Sequence, residues 1–246
     1  RPDEGIFGTR FSTSNYYDFD CVLLNPFGGR LLSPDGRKFM FMEDQKVVDA
    51  TKWYLELVKA HATPYRGDML ENQDMFYAGK MVSNNTGLSG LVGIDAATDH
   101  GKLWEWGWTL VPLGPEGRGS QLFINQWCVG STSEHPAAAY ELISFLTSAE
   151  VGIWATVQMH KQPNGSRTAW YSKEVAEVEP AFAACAPWFE QENLQRFPMP
   201  WNLRFAELQD TWQNLTEALF YNEKTWDEVA PEVTKKCQEI LDMPRP

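Results

Sequence analysis

The chain has 246 residues, of which 43% are hydrophobic and 22% are charged, so it can bury a core and is not expected to be disordered. Its 33 Asp and Glu residues outnumber 21 Lys and Arg residues, and the net charge of −12 argues against nucleic acid and anionic lipid as partners, because both need a basic surface. No run of 18 or more apolar residues occurs, so no membrane-spanning helix is predicted.

The cysteines and histidines are too few and too dispersed for a disulfide framework or a zinc site. They are Cys21, Cys128, Cys185 and Cys237, and His61, His100, His135 and His160. Cys185 and Cys237 both fall in predicted helices and could pair, although buried free thiols are the more frequent arrangement. Neither a metal nor an organic cofactor is expected.

The first half of the chain predicts loops, two helices and a short strand. Residues 1–43 are rich in Gly, Pro, Asn and Asp around one apolar stretch at 21–24. From Asp44 to about Ala62 apolar residues recur at helical spacing, which predicts an amphipathic helix capped by Asp44. A second helix is expected over about 68–77, followed by Gly79 and a strand over 80–84.

The second half mixes strands with longer helices. Trp104, Trp106 and Trp108 alternate with other residues, which predicts a strand with the three rings on one face. A further strand is expected over 121–129. Helices are expected over 135–146, 149–159, 171–178, 180–189, 204–220 and 225–243, with Ser133, Ser148 and Thr225 as N-caps. This mixture indicates an α/β protein.

Aromatic residues make up 13% of the chain, and some of them fall in predicted loops. Core packing is the commonest role of a tryptophan, but Trp201 lies in the proline-bracketed loop PMPWN. A flat ring of this kind suits the face of a sugar. Asn125 and Gln126 fall in a predicted strand, where their amides need partners, either a polyhydroxylated ligand or a neighbouring backbone.

Catalysis is less well supported than binding. Asp18 and Asp20, or Glu105 near the tryptophans, could serve as a glycosidase carboxylate pair. However, the sequence cannot place two carboxylates of one loop at a catalytic separation. No GxSxG, HExxH or P-loop pattern occurs, so the chain is not expected to be an enzyme.

The order of several weaker motifs carries a resemblance. FYAGKMVSNNTG is followed by WGWTLVPLGPEGRG, then by SEHPAAAYELISFLTSAE and finally by QPNGSR. This order resembles the family 1 extracellular solute-binding proteins of ABC importers, the group that includes maltose-binding protein. The resemblance implies a type II periplasmic-binding-protein-like fold with mixed sheets flanked by helices. It also implies capture of a solute between two lobes and delivery to a membrane permease, in the periplasm or at the outer face of the cytoplasmic membrane.

The resemblance also implies a division of the chain. Residues 1–115 match the first part of the C-terminal lobe, 116–169 the returning segment of the N-terminal lobe with the hinge, and 170–246 the closing helices of the C-terminal lobe. The family's first portion has no counterpart, so a fragment or a truncated chain is expected. Such a piece is expected to expose apolar lobe surface, on which it could dimerise.

Loops that contact solute in the family match several positions of this sequence. The candidate ligand-binding residues are Trp201, Tyr16, Tyr17, Asp18, Gly87, Ser89, Asn125, Gln126 and Trp127. After Gly87 the maltose-binding branch has a stacking tryptophan that this sequence lacks, which argues against a maltodextrin. A sugar, oligosaccharide or polyol is expected; a polyamine would suit the acidic segment 16–20, and a carbohydrate-active hydrolase is the weaker alternative.

Overall fold

The computed structural model describes residues 1–71, 74–88, 90–98, 103–122, 125–190, 194–198 and 202–244. The strands are β1 Phe7–Arg10, β2 Met81–Asn84, β3 Arg118–Leu122 and β4 Leu194–Pro198. The α-helices are α1 Tyr16–Asp18, α2 Gln45–Lys59, α3 Gly90–Ala97, α4 Pro136–Leu146, α5 Ala149–Met159, α6 Arg167–Trp170, α7 Lys173–Val178, α8 Pro180–Cys185, α9 Phe205–Phe220 and α10 Trp226–Asp242.

The chain forms two units. The first unit contains Arg1–Asn85, Val111–Phe123 and Asn193–Pro246, and the second contains Thr86–Leu110 and Ile124–Glu192. These bounds differ from the expected segments at 86–110 and 170–192, which lie in the second unit, and at 116–123, which lie in the first. The assignment of either unit to a lobe stays a prediction.

Two parallel strand pairs lie in the first unit. Strand β1 pairs with β2, and β3 pairs with β4, each over a long separation in sequence. Parallel neighbours cannot be joined by a tight hairpin, so long connections must separate the partners along the chain. The described strands and helices confirm the α/β class.

Helices α2 and α10 form as their sequences predict. The Asp44 carboxylate accepts a hydrogen bond from the Lys46 amide at 2.9 Å and so caps α2. The predicted apolar face of α2 is buried without exception, at Val47, Ala50, Thr51, Tyr54, Leu55 and Val58. Thr225 caps α10 in a reciprocal pair with Glu228, whose carboxylate accepts from the Thr225 amide at 2.8 Å.

The segment 16–27, expected to be a loop, is helical and buried. Helix α1 continues as a π-helical turn over Phe19–Leu24 and a 3₁₀ turn over Asn25–Phe27. All six residues of the π turn are buried, and α2 and α9 pack against this segment. Asp18, Asp20 and Asn25 interrupt the apolar residues of this segment without a helical period, so its sequence does not predict a helix.

The prediction of a helix over 68–77 is wrong, because the described residues of this range form no α-helix. A 3₁₀ turn occupies Arg66–Asp68, and residues 75–79 form turns, while 72–73 lie outside the described residues. The Asp74 carboxylate accepts hydrogen bonds from the amides of Phe76 at 2.8 Å and Tyr77 at 3.2 Å. Such side-chain bonds compete with helix formation.

The second unit has a small core under α3 and α5–α8. Its buried members are Leu91, Trp170, Val175, Phe182, Cys185 and Ala186. Trp106 and Trp108 pack against this core, and Trp104, Trp106 and Trp108 alternate with exposed neighbours. Trp106 and Trp108 therefore share a packed face as predicted, but the predicted strand is wrong, because residues 103–110 form no strand.

Two further expectations in this region need correction. A strand was predicted over 121–129, but the observed strand is Arg118–Leu122, and residues 125–130 have no regular structure. Ser148 caps α5 as predicted, whereas α4 begins after His135 rather than after Ser133, because Pro136 takes the first helical position.

Taken singly, none of the described helices is long and apolar enough to cross a membrane. Helices α4 and α5 meet the length and composition required when they are taken together, with a bend of 55° between them.

Candidate functional site

Tyr16, Tyr17 and Asp18 lie on α1 in the first unit. Tyr16 is fully buried in the core, and its amide donates to the Gln209 side chain at 3.0 Å. Tyr17 is half-buried, with its ring 5.9 Å from that of Phe205. Of the two tyrosines, therefore, Tyr17 is the one with ring surface that a ligand could contact.

Asp18 is half-buried beside Tyr17. The Asn15 amide group donates to its carboxylate at 3.2 Å. Burial raises the pKa of Asp18, and the hydrogen bonds from Asn15 and Ser12 act in the opposite direction. A half-buried carboxylate next to a half-exposed aromatic ring can accept hydrogen bonds from hydroxyl groups or pair with a cation.

Asp20 cannot serve as the second carboxylate of this segment. Its side chain is fully buried, with one oxygen 2.7 Å from Arg30 Nε and the other accepting from the Leu31 amide. Burial raises the pKa of Asp20, while the Arg30 guanidinium acts to lower it. Asp20 thus holds the turn at 30–31 against the buried helical segment, and a surface carboxylate pair with Asp18 is excluded.

The remaining candidates lie elsewhere or outside the described residues. Gly87 is exposed in the turn before α3, and Ser89 and Trp201 lie outside the described residues. Asn125, Gln126 and Trp127 are exposed, and Trp127 has 64% of its surface accessible. The inference that Asn125 and Gln126 are buried strand amides in need of partners is therefore wrong, although both remain open to a ligand.

The second unit contains a cavity that the sequence did not predict. It has a volume of about 280 Å³, near the lower end of the usual range for small-molecule sites. Its walls are Leu91, Asp95, Trp106, His160, Val178, Glu179, Pro180, Ala181 and Phe182. An aromatic wall with acidic groups can hold a small polyhydroxylated molecule or an organic cation.

Two polar contacts organise this cavity. His160 Nδ1 lies 2.7 Å from a Glu179 carboxylate oxygen, which links the end of α5 to the start of α8. The Trp106 indole donates to Thr98 Oγ1 at 3.1 Å, which fixes the ring on the C-terminal end of α3. Of these cavity residues, the sequence pattern indicated only the tryptophans at 104–108, through their alternation. His160 and Glu179 are 19 residues apart, and no sequence pattern predicts that they meet.

Within the part of the chain that the structure describes, no group of three or more His, Cys, Asp or Glu side chains is placed to hold a metal ion. Cys21, Cys185 and Cys237 are buried free thiols, and Cys128 is exposed. Burial raises the pKa of Cys185 to about 11, so this thiol is neutral near pH 7.

Comparisons with known proteins identify the fold but not a sequence family. No protein-family model and no curated protein matches the chain. The ABC substrate-binding protein Lmo0181 from Listeria monocytogenes, in complex with cycloalternan, matches with a TM-score of 0.72 and 13% identity, over 98% of this chain and 59% of that chain. The sugar-binding protein MalE from Xanthomonas citri matches with a TM-score of 0.71 and 18% identity, over 96% and 58% of the two chains.

A cyclo/maltodextrin-binding protein complexed with maltotetraose matches with a TM-score of 0.71 and 18% identity, over the whole of this chain and 62% of the other. The chain therefore has the fold of ABC solute-binding proteins, which confirms the fold expected from the order of its motifs. It spans less than two thirds of the length of each of these proteins. At 18% identity or less, the likeness establishes the fold and leaves the solute open.

Proposed function

We propose that the chain acts as the solute-binding component of an ABC import system and that its solute is a sugar, an oligosaccharide or a polyol. The observation that carries this proposal is the fold shared with the three solute-binding proteins, of which one holds cycloalternan and another maltotetraose. Delivery to a membrane permease, in the periplasm or at the outer face of the cytoplasmic membrane, belongs to the same proposal.

Half-buried side chains of the first unit and exposed side chains of the second suit such a solute. In the first unit, the Tyr17 ring offers an apolar face beside the hydrogen-bond acceptors of Asp18. In the second unit, Trp127 offers a ring, and the neighbouring amides of Asn125 and Gln126 offer donors and acceptors. Trp201 remains the proposed stacking platform, and the backbone at Gly87 and the side chain of Ser89 are proposed contacts. Sugar sites commonly combine ring faces with a few well-placed polar groups.

A small organic cation such as a polyamine is the second candidate. The cavity of the second unit favours it, because Asp95 and Glu179 lie there with the Trp106 ring. Carboxylates and an aromatic face together attract ammonium groups. The segment 16–20 supports this candidate less than its sequence suggested, since Asp20 is buried against Arg30.

Isothermal titration calorimetry with maltotetraose, cycloalternan, a monosaccharide series and spermidine tests the proposal. Saturable one-to-one binding of a saccharide, with the saccharide recovered intact by chromatography, is the expected result. Binding of spermidine alone would favour the second candidate, and conversion of the saccharide to products would favour a hydrolase. A folded chain that binds no compound in the series would contradict the proposal that these residues bind such a solute.

Two variants test the proposed contacts. Trp201→Ala and Tyr17→Ala are each expected to weaken saccharide binding about 5- to 30-fold, because a lost stacking contact costs about 1–2 kcal/mol. Trp154→Ala is the matched control, since Trp154 is exposed on α5 and belongs to none of the proposed contacts. An affinity of the Trp201 variant within twofold of wild type would remove Trp201 from the site.

A further inference from the structure

The segment QPNGSR contains the one asparagine of the sequence that is followed by glycine, Asn164-Gly165. An asparagine in such a pair is chemically labile, because glycine has no side chain to hinder the approach of its amide nitrogen to the asparagine side chain. The pair lies between α5 and α6 in the second unit, where Asn164 is half-buried and Gly165 is exposed. The contacts of Asn164 determine both how readily it reacts and what its conversion would undo.

The Asn164 side chain fastens the corner between α4 and α5. Its Nδ2 donates hydrogen bonds to the carbonyl oxygens of Leu146, at 3.3 Å, and of Ser148, at 2.7 Å. Leu146 is the last residue of α4, and Ser148 is the N-cap of α5. Since the last carbonyl groups of a helix find no donor within the helix, the Asn164 amide supplies one that α4 itself cannot.

The remaining polar groups of Asn164 are also engaged. Oδ1 accepts a hydrogen bond from the Ser166 amide at 3.1 Å, and the main-chain carbonyl accepts from the Trp170 indole at 2.9 Å. Gly152 of α5 lies directly against the side chain, since a Cβ atom at that position would be 2.5 Å from Asn164 Oδ1. The side-chain amide is thus held at both its nitrogen and its oxygen, next to the buried ring of Trp170.

We propose that Asn164 is a site of spontaneous deamidation, which the fold slows and which, once it occurs, irreversibly releases the corner between α4 and α5. In this reaction the backbone nitrogen of Gly165 bonds to Cγ of Asn164, and the bond between Cγ and Nδ2 breaks. The side-chain nitrogen leaves as ammonia with the proton that the Gly165 amide gives up. Water then opens the cyclic imide at either of its two carbonyl groups and leaves aspartate or isoaspartate.

The hydrogen bonds of the side chain oppose the first step. When Cγ is attacked it becomes tetrahedral, so Nδ2 and Oδ1 leave the plane in which they contact Leu146, Ser148 and Ser166. The reaction therefore proceeds mainly from molecules in which this corner has opened locally. The free energy of that opening sets how far the rate in the folded chain falls below the rate in the unfolded chain.

The product cannot restore the corner. An ionised carboxylate only accepts hydrogen bonds, so it offers no donor to the carbonyl oxygens of Leu146 and Ser148 and repels them. Isoaspartate in addition lengthens the main chain by one atom and moves the group that the Trp170 indole contacts. Because Trp170 belongs to the core of the second unit, deamidation is expected to destabilise that unit.

Peptide mapping of the whole chain by mass spectrometry tests the proposal. Wild type is incubated at pH 8, folded and in urea, and aspartate and isoaspartate at position 164 are followed with time. Deamidation is expected to be at least about tenfold slower in the folded chain than in urea. The matched control Gly165→Ala, whose Cβ atom meets nothing within 4 Å, is expected to fold as wild type and to react several-fold more slowly in urea.

Two further variants test the role of the contacts. Gly152→Ala favours the helix but pushes against Asn164 Oδ1, so it is expected to raise the deamidation rate of the folded chain several-fold. Asn164→Asp is expected to lower the melting temperature by several degrees. Asn214→Asp makes the same change of charge at an exposed asparagine of α9 and should leave the melting temperature nearly unchanged.

Three results would overturn the proposal. They are an absence of aspartate and isoaspartate at position 164 in urea, equal deamidation rates in the folded and the unfolded chain, and a folded Asn164→Asp variant that melts with wild type. The comparison of rates uses wild type alone, so it remains decisive if a variant does not fold.

Discussion

Replacing Trp212 should destabilise the first unit more than any replacement of an exposed tryptophan. Trp212 is fully buried on α9, and its ring centroid lies 5.0 Å from those of both Phe19 and Phe41. Its indole N–H donates to the Thr13 carbonyl oxygen at 2.8 Å. One side chain thus joins α9 to the buried helical segment, to the chain near Phe41 and to the strand-to-helix connection at Thr13.

The size of the effect follows from these contacts. Truncation of a buried Trp to Ala costs about 3–5 kcal/mol in lost burial and cavity formation. Loss of the indole leaves the Thr13 carbonyl without its donor, which adds about 1–3 kcal/mol if water does not reach it. Since domains are stable by about 5–15 kcal/mol, Trp212→Ala should leave the first unit marginally folded or unfolded. Trp212→Phe keeps an aromatic ring and should cost about 1–3 kcal/mol, chiefly through the lost hydrogen bond.

Urea denaturation followed by circular dichroism at 222 nm measures these differences. Trp154→Ala is the control, because Trp154 is 56% exposed and its replacement should change the free energy of unfolding by less than about 0.5 kcal/mol. Equal urea midpoints for Trp212→Ala and Trp154→Ala would refute the assignment of Trp212 to the centre of the core. A Trp212→Phe variant as stable as wild type would refute only the contribution of the hydrogen bond.

Four further predictions concern other parts of the chain. Asp44→Ala removes the cap of α2 and should lower the free energy of unfolding by about 1 kcal/mol, measured by urea denaturation; no change would mean that the cap is not formed. Gly119→Ala places a Cβ atom against the carbonyl oxygen of Cys21 and should lower the melting temperature by several degrees or more, because backbone has to move; an unchanged melt would contradict the close approach of β3 to that segment. Burial raises the pKa of the Cys21 and Cys237 thiols to about 12, so Cys128 alone should react rapidly with Ellman's reagent at pH 8, whereas all four cysteines should react in urea. These two buried thiols have a pKa near 9 when unfolded but near 12 when folded. Their contribution to stability is therefore complete below about pH 9 and is lost as the pH rises from about 9 to about 12. A urea midpoint that is as high at pH 10 as at pH 8 would contradict this prediction.

The sequence was sufficient to predict those elements that depend only on residues close together in the chain. Helix α2 repeats its apolar residues with a helical period and begins after Asp44, and both features arise from neighbours in sequence. The same is true of the Thr225 cap of α10 and of the alternation of the three tryptophans at 104–108. The order of the motifs then indicated the solute-binding fold that the solved structures confirm.

The elements that the sequence patterns did not predict depend on contacts between residues far apart in the chain. The segment 16–27 has no helical period, and it becomes helical because α2, α9 and β3 pack around it and all six residues of its π turn are buried. Residues 103–110 keep the alternation of a strand but are not part of a sheet. A strand needs a neighbouring strand to hydrogen-bond with, and the alternation of side chains does not show whether one is present. Hydrogen bonds formed across the fold, such as that between His160 and Glu179, leave no pattern in a single sequence. The sequence by itself therefore determined which stretches are amphipathic and where they are capped, whereas the tertiary structure decided which apolar surfaces are buried and which, as on α4, remain exposed.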